Sequence, residues 1–243
     1  MIKLGVSGAL GKMGKRIIAL ALSDKTFRVS LALEKSGFLF ADTGGSGLKI
    51  ESSPELIKEV SVLIDFSSIE ATLEHLEYAL KFKKAVVIGT TGFSEQQKKI
   101  IQAAAKKIPI LFSPNMSIGV NLLFALVRQA AGLLSKEYKA NITEAHHVHK
   151  KDAPSGTAKH LADIIYAERK GGEVGIKSIR EGEIIGDHDV VFESPWDTIK
   201  LVHSAKTRDI FAKGALEAAK FIVKKKKGLY GMEDVINTRY KKR

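Results

Sequence analysis

The 243-residue chain contains no cysteine. Disulfides and thiolate-ligated metal centres are therefore excluded, which fits a reducing, cytoplasmic setting. No apolar run is long enough to span a bilayer, and residues 2–6 already read as a strand rather than as part of a secretory leader, so no membrane partner is expected. Aromatic residues make up only 7% of the chain and do not interleave with the basic ones. The stacking array of a nucleic-acid binder is thus missing. Internal repeats and low-complexity linkers are absent as well.

What is present is an ordinary globular balance, 44% hydrophobic and 27% charged, enough for one large domain or two modest ones. Lysine and arginine exceed the acids by 12, but dense basic runs occur only at 224–227 and 241–243. Such an excess suits nucleic acid, solvated helix faces, or polyanionic small molecules such as a phosphorylated cofactor and a carboxylate substrate. With no aromatic array, no nucleic-acid partner is expected.

Apolar runs at 2–6, 29–33, 62–66, 85–88 and 110–112 read as buried strands, with helices at 12–22, 69–81 and 94–106. This alternation predicts an α/β fold with a Rossmann-like, doubly wound parallel sheet, whose ligands sit beyond the carboxyl ends of the strands. From 120 the pattern changes. A helix over 120–134, a strand over 141–148, a helix over 157–169 and strands at 176–180, 190–193 and 199–204 predict a second α+β region. A last helix over 214–226 returns to the first domain. The expected boundaries are 1–117 plus about 209–243 for a dinucleotide-binding domain, and 118–208 for the second.

Gly8, Gly11 and Gly14 follow the first strand and open the first helix. Glycine there lets the backbone approach a pyrophosphate, and the helix N-terminus offers unpaired N–H groups. The spacing is G-x-x-G-x-x-G rather than G-x-G-x-x-G. Glu34 lies twenty positions after Gly14, at the end of the second strand, where an acid meets ribose hydroxyls. Lys35 beside it can pair with a 2′-phosphate, so the pair points to acceptance of NADH and NADPH. Two further strand ends, Gly89-Thr90-Thr91-Gly92 and Ser113-Pro114-Asn115-Met116-Ser117, carry the small and hydroxylated residues that suit a planar ligand ring.

Residues 144–157 hold three of the seven histidines, followed by Lys150 and Lys151. On a strand, His147 and His149 face one way and His146 the other. Imidazole ligates metals, but two adjacent lysines repel a cation, so no metal is expected. Acid–base chemistry suits the cluster better. Pro154-Ser155-Gly156-Thr157 then opens a helix whose free N–H groups and hydroxyls make an anion site.

Taken together, G-A-L-G-K-M-G at 8–14, I-D-F-S at 64–67, V-I-G-T-T-G at 87–92, N-M-S-I-G-V-N at 115–121 and E-A-H-H-V-H-K-K-D-A-P-S-G-T-A at 144–158 resemble the dihydrodipicolinate reductases of lysine biosynthesis. A weaker likeness continues through 180–182, 186–188 and 228–232. The resemblance implies hydride transfer from NADH or NADPH to 4-hydroxy-tetrahydrodipicolinate, a dicarboxylate, with loss of water. Hydride addition to a conjugated imine builds negative charge, which a nearby acid quenches.

By motif, His146 is then the proton donor/acceptor and Lys150 the proton donor. His147, Ser155, Gly156 and Thr157 bind substrate. Gly8, Ala9, Leu10, Gly11, Lys12, Met13, Glu34, Lys35, Gly89, Thr90, Thr91, Ser113, Pro114, Asn115 and Met116 hold the cofactor. Lys35 departs from the family, where arginine often follows the acid; it keeps the charge but loses the bidentate fork. The resemblance also implies a homotetramer joined through the second domain's sheet. Reduction of another small carboxylic acid, or a non-catalytic role in dinucleotide sensing or nucleic-acid binding suggested by the net charge, are the readings that the residues alone leave open.

Overall fold

A computed structural model describes residues 1–35 and 48–240. The chain divides into one unit of Met1–Ser117 with Phe211–Arg243 and a second of Ile118–Ile210.

The first unit opens β1 (Ile2–Ser7), α1 (Lys12–Leu22), β2 (Phe27–Leu33), β3 (Ile50–Glu51), a 3₁₀ turn (Pro54–Glu59), β4 (Val62–Asp65), α2 (Ile69–Phe82), β5 (Ala85–Ile88), α3 (Glu95–Ala105) and β6 (Pro109–Phe112). The second unit contains α4 (Ile118–Leu133), β7 (Lys139–His146), α5 (Gly156–Arg169), β8 (Val174–Arg180), β9 (Asp187–Glu193) and β10 (Thr198–Ser204). Helix α6 (Asp209–Ile222) carries the chain back, and β11 (Gly228–Tyr230) and α7 (Met232–Tyr240) follow.

The first unit's strands run in the order β11-β6-β5-β4-β1-β2-β3, all parallel. Parallel strands are covered on both faces, which is why β5 and the first three residues of β4 read as apolar runs, with every residue of both strands buried. Leu31, Leu63, Val86, Ile88, Ile101 and Ile110 belong to one core cluster. Removing each such side chain from water contributes about 1.5–3 kcal/mol. The strand order reverses between β1 and β4, the switch point where such sheets bind ligands. Local signals agree: Ser94 and Gln97 form a capping box on α3, and the Ser68 hydroxyl accepts from Ala71 N at 3.2 Å to start α2.

In the second unit the sheet order is β10-β9-β7-β8, with β7 parallel to β8 and antiparallel to β9. β7 alternates, burying Ala140, Ile142, Glu144 and His146. Ala140 and Ile142 join Phe124, Val127, Leu161 and Ile165 of α4 and α5 in a second core. The same period of two therefore buries a carboxylate and an imidazole beyond the apolar pair.

Two expectations are corrected, and three short elements were not anticipated. β7 ends at His146, not 148, because His147 N donates to Ile184 O at 2.7 Å and Lys150 N to His147 O at 3.1 Å, turning the chain. The last long helix is Asp209–Ile222, not 214–226. It closes with tighter i→i−3 bonds, Lys224 N on Phe221 O and Lys225 N on Ile222 O, within the run of four lysines and ahead of Gly228. β3, β11 and α7 lacked a periodic signal, the two strands being only two and three residues long.

Within the first unit, Lys220 Nζ of α6 lies 2.7 Å from Asp24 Oδ2. The Lys220 ammonium, helped by Thr26, lowers the Asp24 carboxyl to about 2. A depressed carboxyl stabilises the fold above its unfolded pKa near 4 and loses that contribution as pH falls towards 2. Asp24→Asn is expected to cost about 1 kcal/mol at pH 7, the pair being part-exposed. The Tm gap to the parent should narrow steadily as pH falls from 4 towards 2; a gap that stays undiminished over that range contradicts the linkage.

Candidate active site

At the switch point of the first unit, β1 runs into Gly8, whose φ is +71°. A Cβ there would overlap the Phe66 carbonyl oxygen, and one on Gly14 would overlap the Gly8 oxygen. Both glycines are thus required by close backbone approach. Ala9 N donates to Leu33 O at 3.1 Å and Gly11 N to Gly8 O at 3.0 Å, closing the turn over β2. The turn fits a pyrophosphate at the start of α1, whose N-cap, Gly11, uses no side chain.

Glu34, expected on the ribose, reaches the same turn: Leu10 N donates to its Oε2 at 3.1 Å. Lys12 and Lys35 are exposed beside these residues in sequence. At the end of β5, a Cβ on Gly89 would overlap the Phe66 ring. Gly89, Thr90 and Thr91 line a cavity of about 450 Å³ with Phe66, Ser67, Ser68, Ile69 and Glu70. Ser113 Oγ donates to Asn115 O at 2.8 Å, and Ser117 N donates to Asn115 Oδ1 at 2.9 Å, shaping the 113–117 loop. Met116 is buried, and its carbonyl would overlap a Cβ on Gly214 of α6.

Sequence reasoning missed the polar hub beneath these loops. Asp65, at the end of β4, is fully buried. Its carboxylate meets His75 Nδ1 at 2.7 Å and accepts from Ser67 N at 3.0 Å and Thr72 Oγ1 at 3.2 Å. Thr72 Oγ1 also lies 3.0 Å from Thr90 Oγ1. The Thr90 side chain is therefore committed to the protein interior, leaving its backbone for a ligand. A lone Asp after an apolar run carries no signal of its three partners.

The second unit gathers the acid–base segment at the carboxyl end of β7. His146 Nδ1 hydrogen-bonds Glu144 Oε2. Glu144 Oε1 accepts from Arg180 Nη2 at 2.9 Å and from Ser155 N at 3.3 Å. Ser155 caps α5 by accepting from Ala158 N at 3.2 Å, and its hydroxyl lies 3.2 Å from His188 Nε2. The His146 and His188 rings meet edge to face, centroids 5.3 Å apart. A Cβ on Gly156, the first α5 residue, would meet nothing within 4 Å, so space lies open at that helix N-terminus. Lys150 Nζ pairs with Asp152 at 2.8 Å, and His147 Nε2 lies 3.2 Å from Arg208 Nη2.

Electrostatics separate these groups. Burial pushes the Glu144 carboxyl up, but Arg180, Ser178 and His146 outweigh it and bring it down to about 2. Burial lowers His146 below the ordinary imidazole value against the pull of Glu144. Burial, with the His146 charge, takes His188 down to about 4. His188 is thus neutral at physiological pH. Glu144, His146 and His188 place one ligand atom each within 4.8 Å of one another, enough to hold a metal ion. Both Glu144 oxygens are, however, already bonded to Arg180, Ser155 and His146.

Among the expected residues, His146, Ser155 and the start of α5 come together, with the Lys150 charge acting on His146. Glu144 stood within the singled-out segment without a role. Arg180 and His188 lie far along the chain, and only the resemblance at 180–182 and 186–188 marked them.

The family described as "Dihydrodipicolinate reductase, N-terminus" matches residues 2–116, and its C-terminus counterpart matches 119–236. A relative from Caldanaerobacter subterraneus subsp. tengcongensis named 4-hydroxy-tetrahydrodipicolinate reductase is 42% identical, over 97% of this chain and 98% of its own. A relative of that name from Aquifex aeolicus is also 42% identical, over 97% and 98%. In fold, the chain is similar to a dipicolinate-bound dihydrodipicolinate reductase from Paenisporosarcina sp. TG-14, with a TM-score of 0.85 and 24% identity over 96% of this chain and 99% of that one. It is also similar to an amine dehydrogenase from Mycobacterium smegmatis, with a TM-score of 0.67 and 10% identity over 94% of both chains. Two family matches in sequence order, joined to full-length relatives, show that the chain belongs to the dihydrodipicolinate reductase family.

Proposed function

We propose that this chain reduces 4-hydroxy-tetrahydrodipicolinate to tetrahydrodipicolinate with NADH or NADPH, in the diaminopimelate route to lysine. The observation that carries the reading is the buried Glu144–His146 pair beside the capped N-terminus of α5. His146 exchanges the proton, and Lys150, paired with Asp152, donates a second. The N–H groups of Gly156 and Thr157, with the Ser155 cap, cradle one substrate carboxylate. His147 binds substrate beside Arg208, whose guanidinium supplies positive charge for the dicarboxylate.

The nucleotide is held by Gly8 to Met13, Glu34, Lys35, Gly89 to Thr91 and Ser113 to Met116. When bound, it supplies the hydride. The 8–14 turn fits it, because its glycines are demanded by backbone contact and Glu34 already stands over Leu10. Glu34 suits free ribose hydroxyls and Lys35 a 2′-phosphate, so kcat/KM with NADH and NADPH is expected to agree within about tenfold. Nicotinamide absorbance followed with the product of the upstream synthase tests the activity. A larger coenzyme ratio sinks the dual-site reading; no oxidation of either coenzyme sinks the reductase reading.

We place the protein in the cytoplasm as a homotetramer joined through the second sheet. No described helix is long and apolar enough to cross a membrane. On β10, Val202 is 60% exposed and alternates with Leu201, which packs against the second core, so one face of this sheet is open to a second copy. Light scattering reads the mass directly; a monomer at micromolar concentration contradicts the assembly.

A further inference from the structure

We propose that Glu144, clamped by Arg180, is a positioning residue that fixes which nitrogen of His146 works, and that Gly186 is glycine to keep that nitrogen, Nε2, open. The inference rests on the reading that His146 exchanges the proton.

The argument begins with strand geometry. Glu144 and His146 are two residues apart on β7 and share its buried face. Arg180 ends β8 and stands in register with His146, so its guanidinium reaches back to Glu144 Oε1 at 2.9 Å. Ser155 N donates to that same oxygen at 3.3 Å. The other oxygen, Oε2, is left for His146 Nδ1. An ionised carboxylate only accepts hydrogen bonds, so Nδ1 carries its hydrogen in the neutral and the cationic ring alike. The proton that comes and goes is the one on Nε2.

Nε2 faces a small space. A Cβ on Gly186, just ahead of β9, would stand 3.0 Å from Nε2 and 3.4 Å from Cδ2 of His146. Gly186 has no positive φ, so its backbone admits alanine without strain. Its lack of a side chain is explained by room beside the imidazole rather than by turn geometry. The ionisable groups around His146 are Glu144, Arg180, Lys150 and His188. Lys150 is held by Asp152, and His188, on whose charge His203 also acts, is the ring's edge-to-face neighbour. Burial, Lys150 and Arg180 oppose protonation of His146, whereas Glu144 favours it, so the carboxylate also governs the pH at which the ring charges.

The test compares Glu144→Gln, Glu144→Asp, Gly186→Ala and His146→Gln in the full chain, using kcat and KM for both substrates across pH 5 to 9. Glu144→Gln is expected to lower kcat about tenfold or more and to move the His146 limb of the kcat profile to lower pH, with KM for the nucleotide unchanged. Glu144→Asp restores the charge and should return the limb towards its original position. Gly186→Ala should lower kcat about tenfold at every pH while leaving the limb in place. Two-bond ¹H–¹⁵N spectra of the ¹⁵N-histidine-labelled parent should show neutral His146 with hydrogen on Nδ1 alone.

A hydrogen on Nε2 in that neutral ring, or a Glu144→Gln enzyme with parental kcat and pH limb, overturns the proposal. Should the Glu144 variants fail to fold, the parent spectrum and Gly186→Ala decide it. A His146→Gln enzyme of parental activity would instead overturn the underlying reading of His146.

Discussion

Replacing His146 with glutamine is expected to lower kcat about 10²- to 10⁴-fold, while leaving the affinity for NADH and NADPH within about twofold. The ring is buried, lies against Glu144, and sits beside the open N-terminus of α5. Glutamine can keep one hydrogen bond to Glu144, so the carboxylate is not abandoned in the interior. What it cannot do is gain and lose a proton near neutrality. The nucleotide-binding residues lie in the first unit, whereas His146 lies in the second. Binding measured by fluorescence titration should therefore survive as turnover fails. Equal loss of turnover and nucleotide affinity would contradict a chemical role.

Gly8→Ala is expected to raise KM for both coenzymes about tenfold or more, with a smaller effect on the KM of the dicarboxylate. Two effects add. At φ +71° an L-residue is strained by about 1–2 kcal/mol. Its Cβ would also overlap the Phe66 carbonyl oxygen and lie 2.9 Å from the Phe66 carbonyl carbon. Either the turn moves away from β4, or Phe66 moves, and Phe66 in turn packs against Gly89. Both strand ends belong to the proposed nucleotide site. Parental coenzyme KM values in a folded Gly8→Ala enzyme would show that the turn takes no part in binding.

Much of the first unit was legible because parallel strands announce themselves. Residues 62–64 and 85–88 are apolar on both faces, and each run is followed by polar or small residues and then a capped helix. The twenty positions from Gly14 to Glu34 carried their meaning in spacing alone. Short elements escaped, since two-residue β3 and three-residue β11 have no period to detect. The end of α6 was misjudged because apolar periodicity ran on into 223, while backbone bonds at Lys224 and Lys225 already close the helix at Ile222.

The candidate site divides in the same way. Its reactive types were visible in the run from Glu144 to Thr157, and so was the capped helix start that suits an anion. The sequence by itself determined the chemistry available: an imidazole, an ammonium, a carboxylate cradle and a glycine turn for a dinucleotide. Only the tertiary structure decided how those groups are wired. Strand pairing brings Arg180 of β8 and His188 of β9 to β7, and it leaves Gly186 beside Nε2. Alternation along one strand shows which side chains share a face, but not which neighbours that face will meet. Those neighbours set the His146 tautomer and keep Glu144 charged, because a buried carboxylate stays ionised only when donors surround it.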